Sequence, residues 1–360
     1  MALEFSQVLA RMPQYPAAEG YARRGPLVRL ASNESPYPPL PAVIEAISAA
    51  LGGLNRYPDP TNGALRARLA DRYGVPAERI AVGNGSCDIL FAAGVALLEP
   101  GAELIYAWPS FSVYPHLGAA SGARSIEVAL DAGERHDLSA MAVEITAATR
   151  LVIVCNPNNP TSTAIELEEI ARFLAGVPPH ICVIVDEAYC EFNLLADPDE
   201  SIALLARHPN LVLLRTFSKV HGLCGLRVGF ALCGSRELPD AVNRVRQPFF
   251  CNAAAQAAAI AALDHQDAVT ARVERAVVAR FELDHRLAEL GLKAADSQAN
   301  FCWFDLGEER DEATIVRGLA DQGVLVRAGA ALGKAGALRV SYGTPTENAR
   351  FLEVLAGLLQ

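Results

Sequence analysis

The sequence lacks the features that mark a metalloprotein, a disulfide-rich secreted protein or a membrane protein. Its eight cysteines form no CxxC pair, and its seven histidines show no spacing typical of a metal site. The N-terminus has no basic segment followed by an apolar one, and no apolar stretch is long enough to span a bilayer. We therefore expect a cytoplasmic protein with reduced cysteines, without a bound metal and without a membrane partner.

Basic surface is also scarce. The 360 residues carry a formal net charge of −10, and because phosphate backbones attract basic faces, no nucleic acid is expected as a partner. A hydrophobic content of 51% excludes a disordered chain, and the length is sufficient for two domains. From residue 81 to about residue 260, strand patterns alternate with helix patterns, which predicts an α/β fold with a mostly parallel sheet.

The same patterns predict how the domains divide. A large domain at 31–260 would contain the parallel sheet, whereas an N-terminal arm at 1–30 would join residues 261–360 in a smaller α+β domain. The smaller domain would begin with a long amphipathic helix from Val269 to Leu290. Its predicted strands are Ala299 to Phe304, Val324 to Arg327 and Ala337 to Ser341.

Four continuous apolar runs end in polar or aromatic side chains instead of simple turns. Such runs are typical of strands buried on both faces of a parallel sheet, and ligands bind at the carboxyl ends of those strands. We therefore expect the side chains that follow the four runs to share one site. These candidates are Phe111, Asn159, Asp186, Tyr189, Ser218 and Lys219.

Together these side chains suit pyridoxal 5′-phosphate (PLP). Lys219 can form an imine with the cofactor, and Asp186 can hold its protonated ring nitrogen, which the cofactor needs to act as an electron sink. Asn159 and Tyr189 can hydrogen-bond the ring oxygen. Phe111 can stack on the ring face.

A glycine-rich turn predicts the phosphate site. Gly85 and Ser86 precede an apolar helical pattern from Ile89 to Leu98, and backbone N–H groups at a helix N-terminus bind anions. Ser218 and Arg227 would complete the cradle.

Lys219 must lose its proton to act as a nucleophile or a general base. Burial and the charge of Arg227 are expected to lower its pKa. The freed amine could then carry the substrate α-proton.

The order and spacing of several motifs resemble fold-type I aminotransferases, and most of all the histidinol-phosphate aminotransferase family. The resemblance runs from about Leu30 to about Asn348 and is carried by LASNESPYPPLP, NRYPD, VGNGS, NPNNPT, DEAY, RTFSK, GLRVGF and LRVSYGTPTEN. It implies PLP as cofactor, Lys219 as the imine-forming residue, and a homodimer in which Tyr57 reaches the neighbouring subunit's phosphate.

The resemblance also implies substrate contacts. The arginine of RVSYGTP, Arg339, would grip the substrate carboxylate, and Arg327 would offer a second anion site. Cys87 replaces an acidic residue that often follows the cradle serine, so it is counted with the cofactor site. The candidate substrate-binding residues are Tyr15, Asn33, Arg327 and Arg339.

The substrate itself is not decided by the sequence. The expected reaction moves an amino group between L-histidinol phosphate and 2-oxoglutarate. Aromatic amino acid aminotransferases, such as those for phenylalanine, share the framework and the RTFSK spelling, and a related branch decarboxylates a phosphorylated amino acid. A non-catalytic binding protein is the weakest alternative, because it gives no reason to keep Lys219, Asp186 and both arginines together.

Overall fold

A computed structural model describes residues 3–14 and 25–360. In this part of the chain the strands form one seven-stranded sheet, one three-stranded sheet and one strand pair. The strands are β1 (Val28–Arg29), β2 (Ile80–Gly83), β3 (Glu103–Trp108), β4 (Arg124–Ala129), β5 (Thr149–Cys155), β6 (Cys182–Asp186), β7 (Leu211–Thr216), β8 (Gly229–Cys233), β9 (Phe301–Asp305), β10 (Val324–Leu325), β11 (Arg327–Ala328) and β12 (Ala337–Ser341).

The seven-stranded sheet has the order β2-β8-β7-β6-β5-β3-β4. Strand β8 runs antiparallel to its neighbours β2 and β7, and the remaining pairs are parallel. Strands β5 and β7 are buried along almost their whole length, as expected for continuous apolar runs covered on both faces. The predicted α/β fold with a mostly parallel sheet is therefore confirmed.

Helices cover the sheets and connect the strands. The long predicted helix near 269–290 is confirmed and begins three residues earlier, at Gln266. The helices of the described residues are α1 (Gln7–Arg11), α2 (Pro41–Leu51), α3 (Gly63–Tyr73), α4 (Ser86–Leu97), α5 (Tyr114–Ser121), α6 (Leu138–Val143), α7 (Leu167–Gly176), α8 (Glu237–Val245), α9 (Ala253–Leu263), α10 (Gln266–Glu289), α11 (Glu312–Asp321) and α12 (Pro345–Leu358).

The three-stranded sheet is antiparallel and has the order β11-β12-β9. The prediction of a single strand from Val324 to Arg327 was wrong, because the chain changes partners at Val326. Before that residue, β10 pairs in parallel with β1 of the N-terminal arm, and after it β11 pairs with β12. The periodicity of the sequence reveals the apolar run but not the strands with which its two halves pair.

Apolar side chains form separate cores. Two clusters occupy the two faces of the large sheet. A third joins Leu30 of the arm to residues of α10, α11, α12 and the small sheet. Helix α1, in contrast, lies against α5, a helix that packs on the large sheet. The domain limits of 31–260 for the large part, and of 1–30 with 261–360 for the small part, stay a prediction. Among the helices described, none is long and apolar enough to cross a membrane.

Candidate active site

The carboxyl ends of β5, β6 and β7 open onto a cavity of about 410 Å³. Because parallel strands end at the same sheet edge, polar groups distant in sequence meet here. Strands β11 and β12 of the three-stranded sheet contribute Arg327 and Arg339 to the lining of the cavity. The predicted site residues that line the cavity are Asn33, Ser86, Cys87, Phe111, Asn159, Asp186, Tyr189, Ser218, Lys219, Arg227, Arg327 and Arg339.

Lys219 lies three residues beyond the end of β7. Its Nζ donates to the carbonyl oxygens of Ser32 and Asn33, at 3.3 and 3.1 Å. Burial, and next the charge of Arg339, lower the pKa of Lys219 to about 8. A substantial fraction of this amine is therefore neutral near physiological pH, as a nucleophile or general base requires.

The neighbouring cation that lowers this pKa was wrongly predicted to be Arg227. The Arg339 guanidinium donates to the carbonyl oxygen of Ala31 at 2.6 Å, next to the carbonyls that hold Lys219. Arg227 instead donates to the carbonyl oxygen of Cys224 at 3.0 Å. Arg227 was chosen because it is near Lys219 in the sequence. The cation that is near in space, Arg339, comes from a strand 120 residues further along the chain.

Asp186 ends β6 and is almost fully buried. Tyr114 of α5 donates its hydroxyl proton to Asp186 Oδ2 at 2.8 Å, and the backbone N–H of Ala188 lies 3.3 Å from Oδ1. Burial outweighs these bonds and raises the pKa of Asp186 to about 6. A buried carboxylate in this state is stabilised by a cation facing it, so it fits the protonated ring nitrogen of PLP.

Tyr114 was missed at the level of the sequence. It belongs to no motif of the strand ends, and its ring is fully buried, so it reads as a core aromatic. The one available signal is its spacing of three residues from Phe111, which also brings the two rings into edge contact with centroids 5.7 Å apart.

The candidate phosphate cradle lies where β8, α4 and the Lys219 turn meet. Gly85 has a φ of +84° and caps α4, and a Cβ there would lie 2.5 Å from Arg227 Nη2. A Cβ at Gly229 would lie 2.5 Å from the Ser86 backbone nitrogen. Only glycines therefore let the guanidinium and the helix N-terminus approach this closely, which suits an anion.

The hydroxyl of Ser218 is oriented by a residue that sequence reasoning also missed. Thr216 accepts from the Ser218 backbone N–H at 3.1 Å and donates to Ser218 Oγ at 2.9 Å. Since the Ser218 oxygen already accepts, its own proton is left to donate to an anion in the cavity.

Groups suited to the cofactor's ring oxygen lie on the other side of the cavity. Arg339 Nη1 donates to Asn159 Oδ1 at 2.6 Å, which leaves the amide nitrogen of Asn159 for a ligand oxygen. Asn33 Nδ2 donates to the Tyr189 hydroxyl oxygen at 3.1 Å. Burial raises the pKa of Tyr189, so the phenol keeps its proton as a hydrogen-bond donor.

Arg327 and Arg339 face each other across the pair β11–β12. Both are buried at 6% exposure, and both line the cavity. Two guanidinium groups side by side concentrate positive charge and offer planar donors that match carboxylate and phosphate groups. The pair is therefore suited to anionic substrate groups.

The outcome differs for three other predicted site residues, Tyr57, Cys87 and Tyr15. The ring of Tyr57 is 80% exposed and stacks on Phe249 with centroids 4.3 Å apart, outside the cavity of its own chain. Cys87 lines the cavity, but burial raises its thiol pKa to about 11, so it is not a thiolate. Tyr15 lies outside the described residues.

Comparison with known proteins agrees with this geometry. The profile of the family described as "Aminotransferase class I and II" matches residues 25–355. An aromatic amino acid aminotransferase of Streptomyces coelicolor is 43% identical over 347 residues, which cover 96% of this chain and 95% of that protein. Histidinol-phosphate aminotransferase 2 of Ralstonia nicotianae is 44% identical over 335 residues, covering 92% of this chain and 89% of that protein.

Among solved structures, histidinol-phosphate aminotransferase of Sinorhizobium meliloti in complex with PLP superposes with a TM-score of 0.86 at 27% identity. The superposition covers 100% of this chain and 98% of that one. The chain therefore belongs to the class I and II aminotransferases, with the fold-type I architecture, and is a PLP-dependent enzyme.

Proposed function

We propose that this enzyme transfers the amino group of L-histidinol phosphate to 2-oxoglutarate. The observation that carries this choice is the facing pair Arg327 and Arg339 in the cavity of Lys219. The phosphorylated donor has its anion at one end, whereas glutamate has two carboxylates, so a pocket that takes both needs two cationic donors. The 44% identity to a histidinol-phosphate aminotransferase supports the same choice.

The roles of the residues follow from their environments. Bound PLP supplies the electron sink for the bond broken at the substrate α-carbon. Lys219 holds the cofactor and, once released, carries the α-proton, for which its pKa of about 8 is suited. Asp186 holds the ring nitrogen in its protonated form, and Asn159 and Tyr189 bind the ring oxygen. The remaining proposed cofactor contacts are Gly85, Ser86, Cys87, Phe111, Ser218 and Arg227.

A second candidate is an aromatic amino acid, such as phenylalanine, as the donor. The 43% identity to an aromatic amino acid aminotransferase over 96% of this chain supports it as strongly. Phe111 and Leu332 provide apolar surface in the cavity. Phenylalanine itself has only one carboxylate, whereas 2-oxoglutarate needs two cationic donors with either substrate. The dependence of the amino donor's kcat/KM on Arg327 therefore separates the two candidates.

The deciding measurement is the ratio of kcat/KM for L-histidinol phosphate over phenylalanine, with 2-oxoglutarate as acceptor. We expect a ratio well above one that falls in Arg327→Ala because the phosphorylated donor loses its anion contact. A ratio below one would assign the enzyme to the aromatic substrates. Release of carbon dioxide without an oxo-acid requirement would instead indicate a decarboxylase.

Attachment of the cofactor can be tested independently of the substrate. The sequence has only three lysines, Lys219, Lys293 and Lys334, so the attachment point is easily mapped. Borohydride reduction of the holoenzyme should fix the cofactor mass to the peptide containing Lys219, and Lys219→Ala should abolish transamination. Labelling of Lys293 or Lys334 would remove the proposed role of Lys219.

We also infer that the enzyme acts in the cytoplasm as a homodimer with shared active sites. Tyr57 supports the dimer, since a tyrosine exposed to 80% beside an aromatic partner suits a contact with a second subunit. Tyr15 of the arm and Asn33, which follows the arm, remain proposed substrate contacts, as do Arg327 and Arg339.

A further inference from the structure

Asn33 has a backbone conformation that is uncommon for a residue with a side chain. It is 1% exposed and has a φ of +52°, in the left-handed region that asparagine tolerates better than most residues. Ser341 of β12 holds it there, because its Oγ accepts from the Asn33 backbone N–H at 2.8 Å and donates to Asn33 Oδ1 at 3.2 Å. The conformation is therefore fixed by the small sheet.

The carbonyl oxygen of Asn33 is turned toward Lys219. It accepts from Lys219 Nζ at 3.1 Å and from Asn300 Nδ2 at 3.2 Å. Asn300 is itself buried at 4% exposure, and its hydrogen bond helps to keep this carbonyl in place. The direction of the lysine amine in the cavity thus depends on the backbone of Asn33.

The side chain of Asn33 acts on a different group. Its Nδ2 donates to the Tyr189 hydroxyl oxygen at 3.1 Å. A hydroxyl that accepts on one side directs its own proton elsewhere, and Tyr189 lines the same cavity as Lys219. Both polar atoms of the Asn33 side chain are therefore engaged within the protein, by Tyr189 and by Ser341.

We propose that Asn33 is a positioning residue that orients two groups of the reaction centre at once: Lys219 through its backbone carbonyl, and the Tyr189 hydroxyl through its side-chain amide. The inference rests on the proposed roles of Lys219 and Tyr189. It gives the left-handed turn a purpose, since this turn directs the carbonyl and the amide of one residue into one cavity. It also accounts for the presence of Asn33 in the site without requiring contact with substrate.

Asn33→Gly separates the two effects. Glycine adopts a positive φ at no steric cost, so the carbonyl stays on Lys219 while the amide donor to Tyr189 is lost. In the holoenzyme we expect kcat/KM to fall about tenfold, the equivalent of one hydrogen bond. In a pH titration followed by the cofactor's absorbance, the midpoint should rise by about half a pH unit or more. A less well oriented phenol stabilises the anion of the ring oxygen less.

A double-mutant cycle identifies the path of the effect. In a Tyr189→Phe background, Asn33→Gly should move the midpoint by less than about 0.2 units, because the hydroxyl on which it acts is already gone. Ser35→Ala is the control in the same loop, since among the described residues its Oγ bonds to the backbone of Tyr37 alone, and it should leave the midpoint unchanged.

Equal shifts in the two backgrounds, or no shift in Asn33→Gly alone, would overturn the inference. If Asn33→Gly fails to retain cofactor, Ser341→Ala replaces it in the cycle, because it loosens Asn33 without removing either contact. Borohydride mapping of the wild-type enzyme distinguishes the failures. Attachment away from Lys219 would refute the proposed function, whereas attachment at Lys219 without coupling would refute only the role of Asn33.

Discussion

The carboxylate of Asp186 lies in surroundings that resist its charge, and this is what prepares it for a cationic ligand. Burial raises its pKa to about 6, while Tyr114 and the Ala188 backbone N–H supply the hydrogen bonds that keep it in place. A cofactor with a protonated ring nitrogen would supply the missing positive charge. Its binding would then recover the energy lost by burying the carboxylate.

Asp186→Asn is expected to keep bound cofactor but to lower kcat by at least about a hundredfold. Asparagine preserves the shape and the bond with Tyr114 but removes the negative charge that holds the ring nitrogen protonated. Single-turnover kinetics with the amino donor would measure the effect. A variant with nearly wild-type turnover would show that this charge is not what Asp186 contributes.

Tyr114→Phe tests the residue that sequence reasoning missed. Loss of its hydroxyl removes a bond that lowers the pKa of Asp186, so the carboxylate should ionise at a higher pH than about 6. Capture of PLP by the apoenzyme needs the ionised carboxylate. The pH below which the capture rate falls should therefore be higher in the variant than in the wild type. An unchanged pH dependence would separate Tyr114 from the ionisation of Asp186.

The pH dependence of PLP capture should also reveal Lys219. Only the neutral amine attacks an aldehyde, so the capture rate should rise with pH through about 8, the lowered pKa of this lysine. Arg339→Gln removes the cation that lowers it and should move the midpoint upward, whereas Arg327→Gln serves as the matched control. A wild-type midpoint near that of an exposed lysine, about 10.4, would contradict the geometry.

At this scale the sequence predicts residues whose position in a strand implies their role. Asp186, Asn159 and Lys219 follow buried runs, so their meeting at one sheet edge was predictable. Tyr114 and the double contact of Asn33 were not, since both depend on hydrogen bonds between elements far apart in sequence. The same limitation led to the wrong choice of Arg227 as the cation affecting Lys219. The contact of Thr216 with Ser218 is local, but it depends on a side-chain orientation that leaves no pattern in the sequence.

At the scale of elements, the site depends on the close approach of α4, β8 and the Lys219 turn. The glycine-rich turn predicted the N-terminus of α4, although the helix begins at Ser86, three residues before the predicted start. Apolar periodicity identifies the helix body, whereas Ser86 and Cys87 of the first turn line the cavity and do not follow that pattern. The split of the Val324–Arg327 run into β10 and β11 was not predictable, because pairing partners leave no local pattern.

Gly85→Ala should weaken cofactor binding more than it destabilises the fold. The added Cβ would lie 2.5 Å from Arg227 Nη2 and would occupy a φ of +84°, so the guanidinium must shift. Gly225→Ala is the matched control, since it lines the same cavity but its Cβ would meet nothing within 4 Å. Titration with PLP should give a Kd raised about tenfold or more for Gly85→Ala, consistent with strain of about 1–3 kcal/mol. Equal effects of the two substitutions would argue against the cradle.

At the scale of the whole molecule, the cavity is closed by groups from both ends of the sequence. Lys334, near β12, forms ion pairs with Glu134 of the large sheet's loops and with Asp305 of β9. Asn33, which follows the arm, lines the cavity, and β11 and β12 contribute the arginine pair. Packing of the small sheet and of the segment containing Asn33 against the large sheet therefore completes the site.

The position of Tyr57 on the outside of its own subunit predicts that a second subunit completes the phosphate site. We expect Lys219→Ala and Tyr57→Ala to be defective as separate homodimers. In a mixed dimer, one of the two sites would combine Lys219 of one chain with Tyr57 of the other, both unmodified. Co-expressed, differently tagged subunits should thus recover about half the wild-type kcat with an unchanged KM. If Tyr57 acted within its own chain, neither site of the mixed dimer would contain both residues, and no activity beyond that of the Tyr57→Ala subunit would appear.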